Sequence, residues 1–202
     1  SVRFRMPQPG NENLWVEAKL IAHHAPGGSI ASLRGILRDI TAAYLHEKHI
    51  TQLALYDSLT HLPNRMLLDD HLHQALVRAK RNNLKVALGF IDLDHFKQIN
   101  DTFGHTAGDQ VLVNLSKQLR SVLRDIDTLA RWGGDEFVVL IPDLATLAPL
   151  RTISERLREI AREGVMIDGL ETRSTISIGI AVYPDDAEDE ETLMSAADST
   201  MY

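Results

Sequence analysis

No cysteine occurs in the 202 residues, which excludes a disulfide framework, a thiolate zinc site and thiol redox chemistry and is compatible with a reducing compartment. A basic excess is missing too. The formal net charge is −7, whereas a protein that tracks a phosphate backbone usually carries a basic face, so no nucleic-acid polymer is expected as partner. No apolar run approaches the roughly 20 residues that span a bilayer. The opening SVRFRMPQPG lacks the charged-then-apolar pattern of a secretion signal. A cytoplasmic segment without membrane contact of its own is expected, although a longer parent chain could be membrane-anchored. Internal repeats and low-complexity tracts are also lacking. What is present is a length of 202 residues, enough for one complete domain and part of another, and a hydrophobic content of 44%, enough for a packed core. Abundant carboxylates leave room for a small anionic nucleotide held with a hard divalent cation.

The first forty residues differ from the rest. Leu14 to His23 and Ser29 to Leu37 read as strands around the turn Ala25-Pro26-Gly27-Gly28, a hairpin too small to be stable alone. From Asp39 towards Tyr56 a helix is expected, with Ile40, Ala43, Ile50 and Leu53 forming a narrow seam. It serves either as a linker lying on its own domain or as one strand of a parallel coil between protomers.

Helices and strands then alternate. The helix Asn64 to Arg81 is followed by a buried strand Leu84 to Ile91, and the amphipathic helix Gly108 to Leu123 by strands Thr128 to Trp132 and Phe137 to Ile141. Beyond them come a helix from Thr146 to Glu163, strands Val165 to Asp168 and Ser174 to Tyr183, and a helix from Glu190 to the chain end. Strands separated by helices, with one hairpin in the middle, predict an α+β fold with a ferredoxin-like βαββαβ core, helices covering one or both faces.

Two segments carry candidate chemistry. Asp92 and Asp94 stand two residues apart at the end of a buried strand and are expected on one side, placed for a metal. The turn Gly133-Gly134-Asp135-Glu136 adds two acids where missing side chains let a phosphate-bearing ligand reach the backbone. Each alone reads more readily as ordinary exposed surface. Together with Lys97, Asn100 and Asp109 they assemble metal ligands, a phosphate cation and hydrogen-bonding groups, the needs of metal-dependent nucleotidyl transfer. Asn100-Asp101-Thr102-Phe103-Gly104-His105 is expected as a polar turn between them.

From Asp57 to Tyr202 the chain resembles the GGDEF family of bacterial diguanylate cyclases. The resemblance rests on Asp57-Ser58-Leu59-Thr60-His61-Leu62-Pro63-Asn64-Arg65, Asp92 to Lys97, Asn100 to His105 with Gly108-Asp109, Arg131 to Phe137, Ser177-Ile178-Gly179 and Ala197 to Tyr202. It implies that two GTP molecules, one per protomer of a homodimer, join to cyclic diguanylate (cyclic di-GMP) with release of two pyrophosphates. It implies Mg²⁺ or Mn²⁺ on Asp92, Asp135 and the Leu93 carbonyl with Glu136 close by, Lys97 at the phosphates, and Asn100 and Asp109 on the guanine edge. Phe96, Gly133 and Gly134 belong to the implied substrate site, and Asp135, Glu136 and Lys97 to the catalytic set. Arg124 and Asp127 match the family's product-inhibition pair, Arg124 forking onto cyclic di-GMP and Asp127 accepting from guanine.

His61 departs from a usual glycine, a change expected to be tolerated on a loop, and a lysine that commonly follows Tyr202 lies beyond the sequence. Trp15 to Thr41 resembles the last strands of a PAS sensor domain, giving an expected division into residues 1–41 (PAS end), 42–56 (linker helix) and 57–202 (cyclase). His46, His49, His71 and His73 are expected in surface or packing roles. Besides a cyclase, two further readings are open. One is a GTP-binding module that regulates an attached cyclic di-GMP phosphodiesterase, and the other is a structural dimerisation unit.

Overall fold

A computed structural model describes residues 1–7, 13–167, 170–172 and 174–201, with the side chains of residues 165–172 left aside. The expected strand end at Asp168 and helix end at Tyr202 lie outside the described residues. The chain forms two compact units, Ser1–Ala54 and Leu55–Tyr202.

The first unit is a three-stranded antiparallel meander rather than a two-stranded hairpin. β1 (Val2–Pro7), β2 (Asn13–His24) and β3 (Ile30–Asp39) pair in the order β1-β2-β3. The additional strand is legible in the alternation of Val2, Phe4 and Met6 with Arg3 and Arg5, a period of two. Helix α1 (Thr41–Leu55) follows. Its start is tied back to the sheet: Asp39 Oδ1 accepts from the Thr41 amide at 2.8 Å, Thr41 Oγ1 from the Trp15 amide at 2.8 Å, and Trp15 stacks on Tyr44 at 3.8 Å. The Thr41 amide holds the Asp39 carboxyl below its ordinary value, as an N-capping donor does. No residue of α1 is buried; Leu45, Ile50 and Leu53 are each more than half exposed.

The second unit runs α2 (Arg65–Asn82), β4 (Lys85–Leu93), α3 (Phe96–Phe103), α4 (His105–Val122), β5 (Thr128–Gly133), β6 (Glu136–Leu144), α5 (Ala148–Arg162), β7 (Val165–Ile167), β8 (Leu170–Thr172), β9 (Ile176–Tyr183) and α6 (Glu190–Ser199). β7 and β8 form a small hairpin of their own. The main sheet has the order β5-β6-β4-β9, antiparallel throughout, which is the ferredoxin-like βαββαβ arrangement. β4 is central and buried on both sides, so it reads as a continuous apolar run. Val86, Leu88 and Phe90 pack with α2 and α6, while Ala87, Ile91 and Leu93 pack with α4 and α5. Helices therefore cover both faces. Gly179 lets α6 approach closely, because a Cβ there would collide with the backbone of Ala197, Thr200 and Met201.

A second expectation fails. Residues 100–103 are not a turn but the end of α3, whose Phe96 and buried Ile99 face the core. Apolar residues three apart carry that helix, and the break comes only at Gly104, whose φ of +84° suits glycine. α4 accordingly starts at His105, before the expected Gly108.

His61 adopts φ +57°, a left-handed conformation that costs an L-residue roughly 1–2 kcal/mol. Replacing it by glycine removes that cost, partly offset by about 0.4–1 kcal/mol of added unfolded-state entropy. His61→Gly is expected to raise stability by about 0.5–1 kcal/mol in denaturant titration and His61→Ala to leave it near wild type. A destabilised glycine variant would contradict the strain assigned to this loop.

Candidate active site

The carboxylates converge at one end of the sheet because of strand register. Asp92, next to last in β4, pairs directly with Glu136, first in β6, and on its other side with Ser177 of β9. Gly133 pairs with Glu136 across the two-residue turn Gly134-Asp135, and Gly134 takes φ +54°, which explains glycine there. A Cβ on Gly133 or Gly134 would meet nothing within 4 Å, so both border open space.

The acids repel one another. Burial, then Asp135 and Asp94, push the Asp92 carboxyl above its ordinary value. Burial, then Asp92, Asp135 and the α6 residue Asp198, do the same to Glu136. No ion pair within 4.0 Å relieves Asp92, Asp135 or Glu136 among the described residues. Among those residues no three acids or histidines form a ready-made metal cage. A hard divalent cation on this set would need water or substrate oxygens to complete its shell.

Asp94 serves differently from Asp92. Its carboxylate accepts from Ser177 Oγ at 2.8 Å and from the Thr175 hydroxyl, and its amide donates to the Thr175 carbonyl at 2.9 Å. It anchors the chain beside the Leu93 carbonyl. His95 follows with φ +61° and turns the chain into α3, where Lys97 is exposed and without an ion-pair partner among the described residues. Asn100 sits against Gly108, where a Cβ would collide with the Asn100 amide and crowd Phe96. That glycine brings Asn100 beside α4, one residue from the exposed Asp109.

Arg124 and Asp127 lie between α4 and β5. Arg124 donates from Nε and Nη2 to Asp127 at 3.1 and 2.8 Å, and its amide donates to the same carboxylate at 2.9 Å. The Asp127 side chain is fully buried while that of Arg124 is 48% exposed. In this arrangement Asp127 holds the guanidinium and the amide of Arg124. Two residues carry more of the site than sequence reading assigned them. Arg131 and Asp57, 74 positions apart, are joined by hydrogen bonds of 3.1 and 3.2 Å, and no local pattern announces a pair so distant. Of the histidines, His71 meets Thr128 Oγ1 at 2.9 Å in a packing contact.

With this geometry in hand, the likeness to known proteins is decisive. The family model described as "Diguanylate cyclase, GGDEF domain" matches residues 54–202. The chain belongs to the GGDEF family. It is 45% identical over 155 residues to the bifunctional diguanylate cyclase/cyclic di-GMP phosphodiesterase MucR of Pseudomonas aeruginosa, covering 77% of this chain and 22% of MucR. It is 39% identical over 174 residues to diguanylate cyclase TpbB of the same species, covering 86% of this chain and 39% of TpbB. The chain thus spans well under half the length of these relatives. The solved GGDEF domain of TpbB superposes with a TM-score of 0.71 at 42% identity, over 73% of this chain and 86% of that one. The coiled coil and GGDEF domain of DgcB from Caulobacter crescentus, in complex with c-di-GMP, gives 0.73 at 29% identity, over 81% and 86%.

The raised carboxyls predict a linked stability. A folded-state pKa above the unfolded one means that the native state holds more protons through the acid range, so stability falls as pH rises through that window. At neutral pH the penalty is fully present. Asp92→Asn is therefore expected to raise the melting temperature of the metal-free protein near pH 7.5 by roughly 1–3 °C. The gain should vanish near pH ~3.5, where unfolded carboxyls also protonate. A lower melting temperature for the variant at neutral pH would oppose the charge repulsion described.

Proposed function

We propose that this chain is a diguanylate cyclase that condenses two GTP molecules into cyclic di-GMP across a homodimer. The observation that carries the reading is the direct pairing of Asp92 with Glu136 beside Asp135, an uncompensated negative set in a GGDEF domain. Asp92, Asp135, Glu136 and the Leu93 carbonyl are the oxygen donors that would hold Mg²⁺ or Mn²⁺, and the repulsion among the acids is what such an ion relieves. When bound, it supplies charge stabilisation at the phosphoryl oxygens.

The chain's own residues do the rest. Asn100 and Asp109 bind the guanine edge, an amide offering donor and acceptor and a carboxylate accepting from the purine N–H groups. Phe96 seats α3 against the core beneath them. Lys97 meets the phosphates as a mobile cation, and the open space over Gly133 and Gly134 admits the nucleotide to the backbone. The 3′-hydroxyl oxygen of one GTP bonds to the α-phosphorus of the other, the bond to pyrophosphate breaks, and the hydroxyl proton leaves with assistance from Asp135. The same exchange on the second protomer closes the ring.

The apolar residues exposed on α1 support a parallel coil that brings two such half-sites together. Residues 1–41 fit the end of a PAS sensor, 42–56 the linker and 57–202 the cyclase, in a parent protein that meets GTP in the cytoplasm. Arg124, aimed outward by buried Asp127, fits a product-inhibition site for cyclic di-GMP. A second reading, a GTP-binding domain controlling a phosphodiesterase elsewhere in a longer parent chain, draws on the bifunctional name of MucR.

Incubation with GTP and Mg²⁺ is expected to yield cyclic di-GMP and pyrophosphate, and Asp135→Ala to reduce turnover at least about a hundredfold. Arg124→Ala should relieve product inhibition at unchanged initial rate. GTP binding without product, at concentrations that permit dimers, favours the regulatory reading.

A further inference from the structure

The hairpin tip that carries Asp135 borders open space at its two glycines. A Cβ at Gly133 or Gly134 would touch nothing, and Gly134 brings the widest backbone freedom of any residue. Beyond the strand pairing of Gly133 and Glu136, the Gly134 carbonyl accepts from the Arg131 side chain. The Nε and Nη2 groups donate to the Gly134 carbonyl at 3.1 and 2.7 Å, while Nη1 donates to both oxygens of Asp57 at 3.1 and 3.2 Å. The two side chains are only 14% and 21% exposed.

Asp57 is itself fixed. It accepts from the amide and the hydroxyl of Thr60 at 2.7 Å each, and its own amide donates to the Leu62 carbonyl at 2.8 Å. Burial pushes its carboxyl upward, but Thr60 and Arg131 outweigh burial and leave it below its ordinary value. The Arg131 amide also donates to the Pro63 carbonyl at 2.9 Å, so backbone and side chain of one residue grip the same segment. A planar guanidinium with a forked donor set can bridge a carboxylate and a carbonyl at once; an ammonium cannot reproduce that geometry.

We infer that Arg131, seated by Asp57, is a positioning residue for the reaction: it aims Asp135 and Glu136 by locking the peptide between Gly134 and Asp135. Because the peptide unit is planar, fixing the Gly134 carbonyl fixes the Asp135 amide and the direction in which its Cα leaves the turn. Displacements of about 1 Å at a reacting centre cost on the order of a hundredfold in rate. The kinetic consequence rests on the cyclase reading; the lock itself does not.

The test uses the full chain and two readouts, steady-state cyclic di-GMP formation and amide hydrogen exchange. Arg131→Ala is expected to lower kcat by about 10- to 100-fold with KM for GTP within about threefold. Exchange of the Asp135 and Glu136 amides should speed at least about tenfold while the β4 amides keep their protection. Arg131→Lys, which keeps charge but not the fork, should stay within about threefold of the alanine variant. Asp57→Asn should lose about 3- to 10-fold, and the double variant Arg131→Ala/Asp57→Asn should be no worse than Arg131→Ala alone within about twofold.

Wild-type kcat in Arg131→Lys, additive losses in the double variant, or a fall in kcat with uniform loss of protection would each overturn the positioning role. If Arg131→Ala does not fold, Arg131→Lys and Asp57→Asn decide by the same criteria. If the wild-type chain makes no cyclic di-GMP, the functional reading falls, and local exchange at Asp135 and Glu136 alone decides the lock: unchanged exchange in Arg131→Lys and Asp57→Asn refutes it.

Discussion

The register of β4 against β6 is the constraint on which the site depends. Side chains alternate along a strand, so a slip of one residue would send Asp92 to the opposite face and replace it with Leu93 or Ile91. That slip is prevented far from the acids. Val86, Leu88 and Phe90 are committed to the α2 and α6 face and Ala87, Ile91 and Leu93 to the α4 and α5 face. A slip would strand several apolar side chains, each worth roughly 1.5–3 kcal/mol when buried. The hydrophobic cores on both faces therefore set the Asp92–Glu136 pairing, and two carboxylates that repel one another remain opposed because the sheet leaves them no alternative.

Against that rigid frame the functional segments are fixed by polar contacts and local backbone geometry as well as by the packing of Phe96 and Ile99. Asp94 is spent on Ser177 and Thr175, which fixes the chain as it leaves β4. His95, in a left-handed conformation, starts α3, and Gly108 lets the Asn100 amide approach α4. Arg131 ties the tip of the Gly133–Glu136 turn to Asp57. The Asp94 and Arg131 contacts join segments distant in sequence, and each of these features lies within one or two residues of a group proposed to meet substrate. Placing acids together without a neutralising cation costs stability, the usual condition of a site that gains its counter-charge from a ligand.

Much of this was legible beforehand. The helices on Leu68, Leu72, Ala75 and Ala79 and on Val111, Leu112, Leu115 and Leu119 follow from the spacing of apolar residues, and the Gly133–Glu136 turn from its glycines. Two elements are decided by more than their local sequence signals. Residues 100–103 look like a turn because Asn, Asp and Thr favour one locally; the helix exists because Phe96 and Ile99 reach the core. β1 has a regular alternation, but its six residues form a strand by pairing with β2.

By itself the sequence determined the strands and helices with strong periodicity, the acids available for chemistry, and membership of a family whose motifs lie in contiguous blocks. These are local properties, written in neighbours a few residues apart. Only the tertiary structure decided that Asp92 faces Glu136, that Asp94 anchors backbone while Asp92 keeps its charge unrelieved, and that Asp127 is buried behind Arg124. It alone joined Arg131 to Asp57. Pairings across 74 positions depend on how the chain closes on itself, and closure is governed by the burial of the whole core rather than by any stretch of residues that can be read alone.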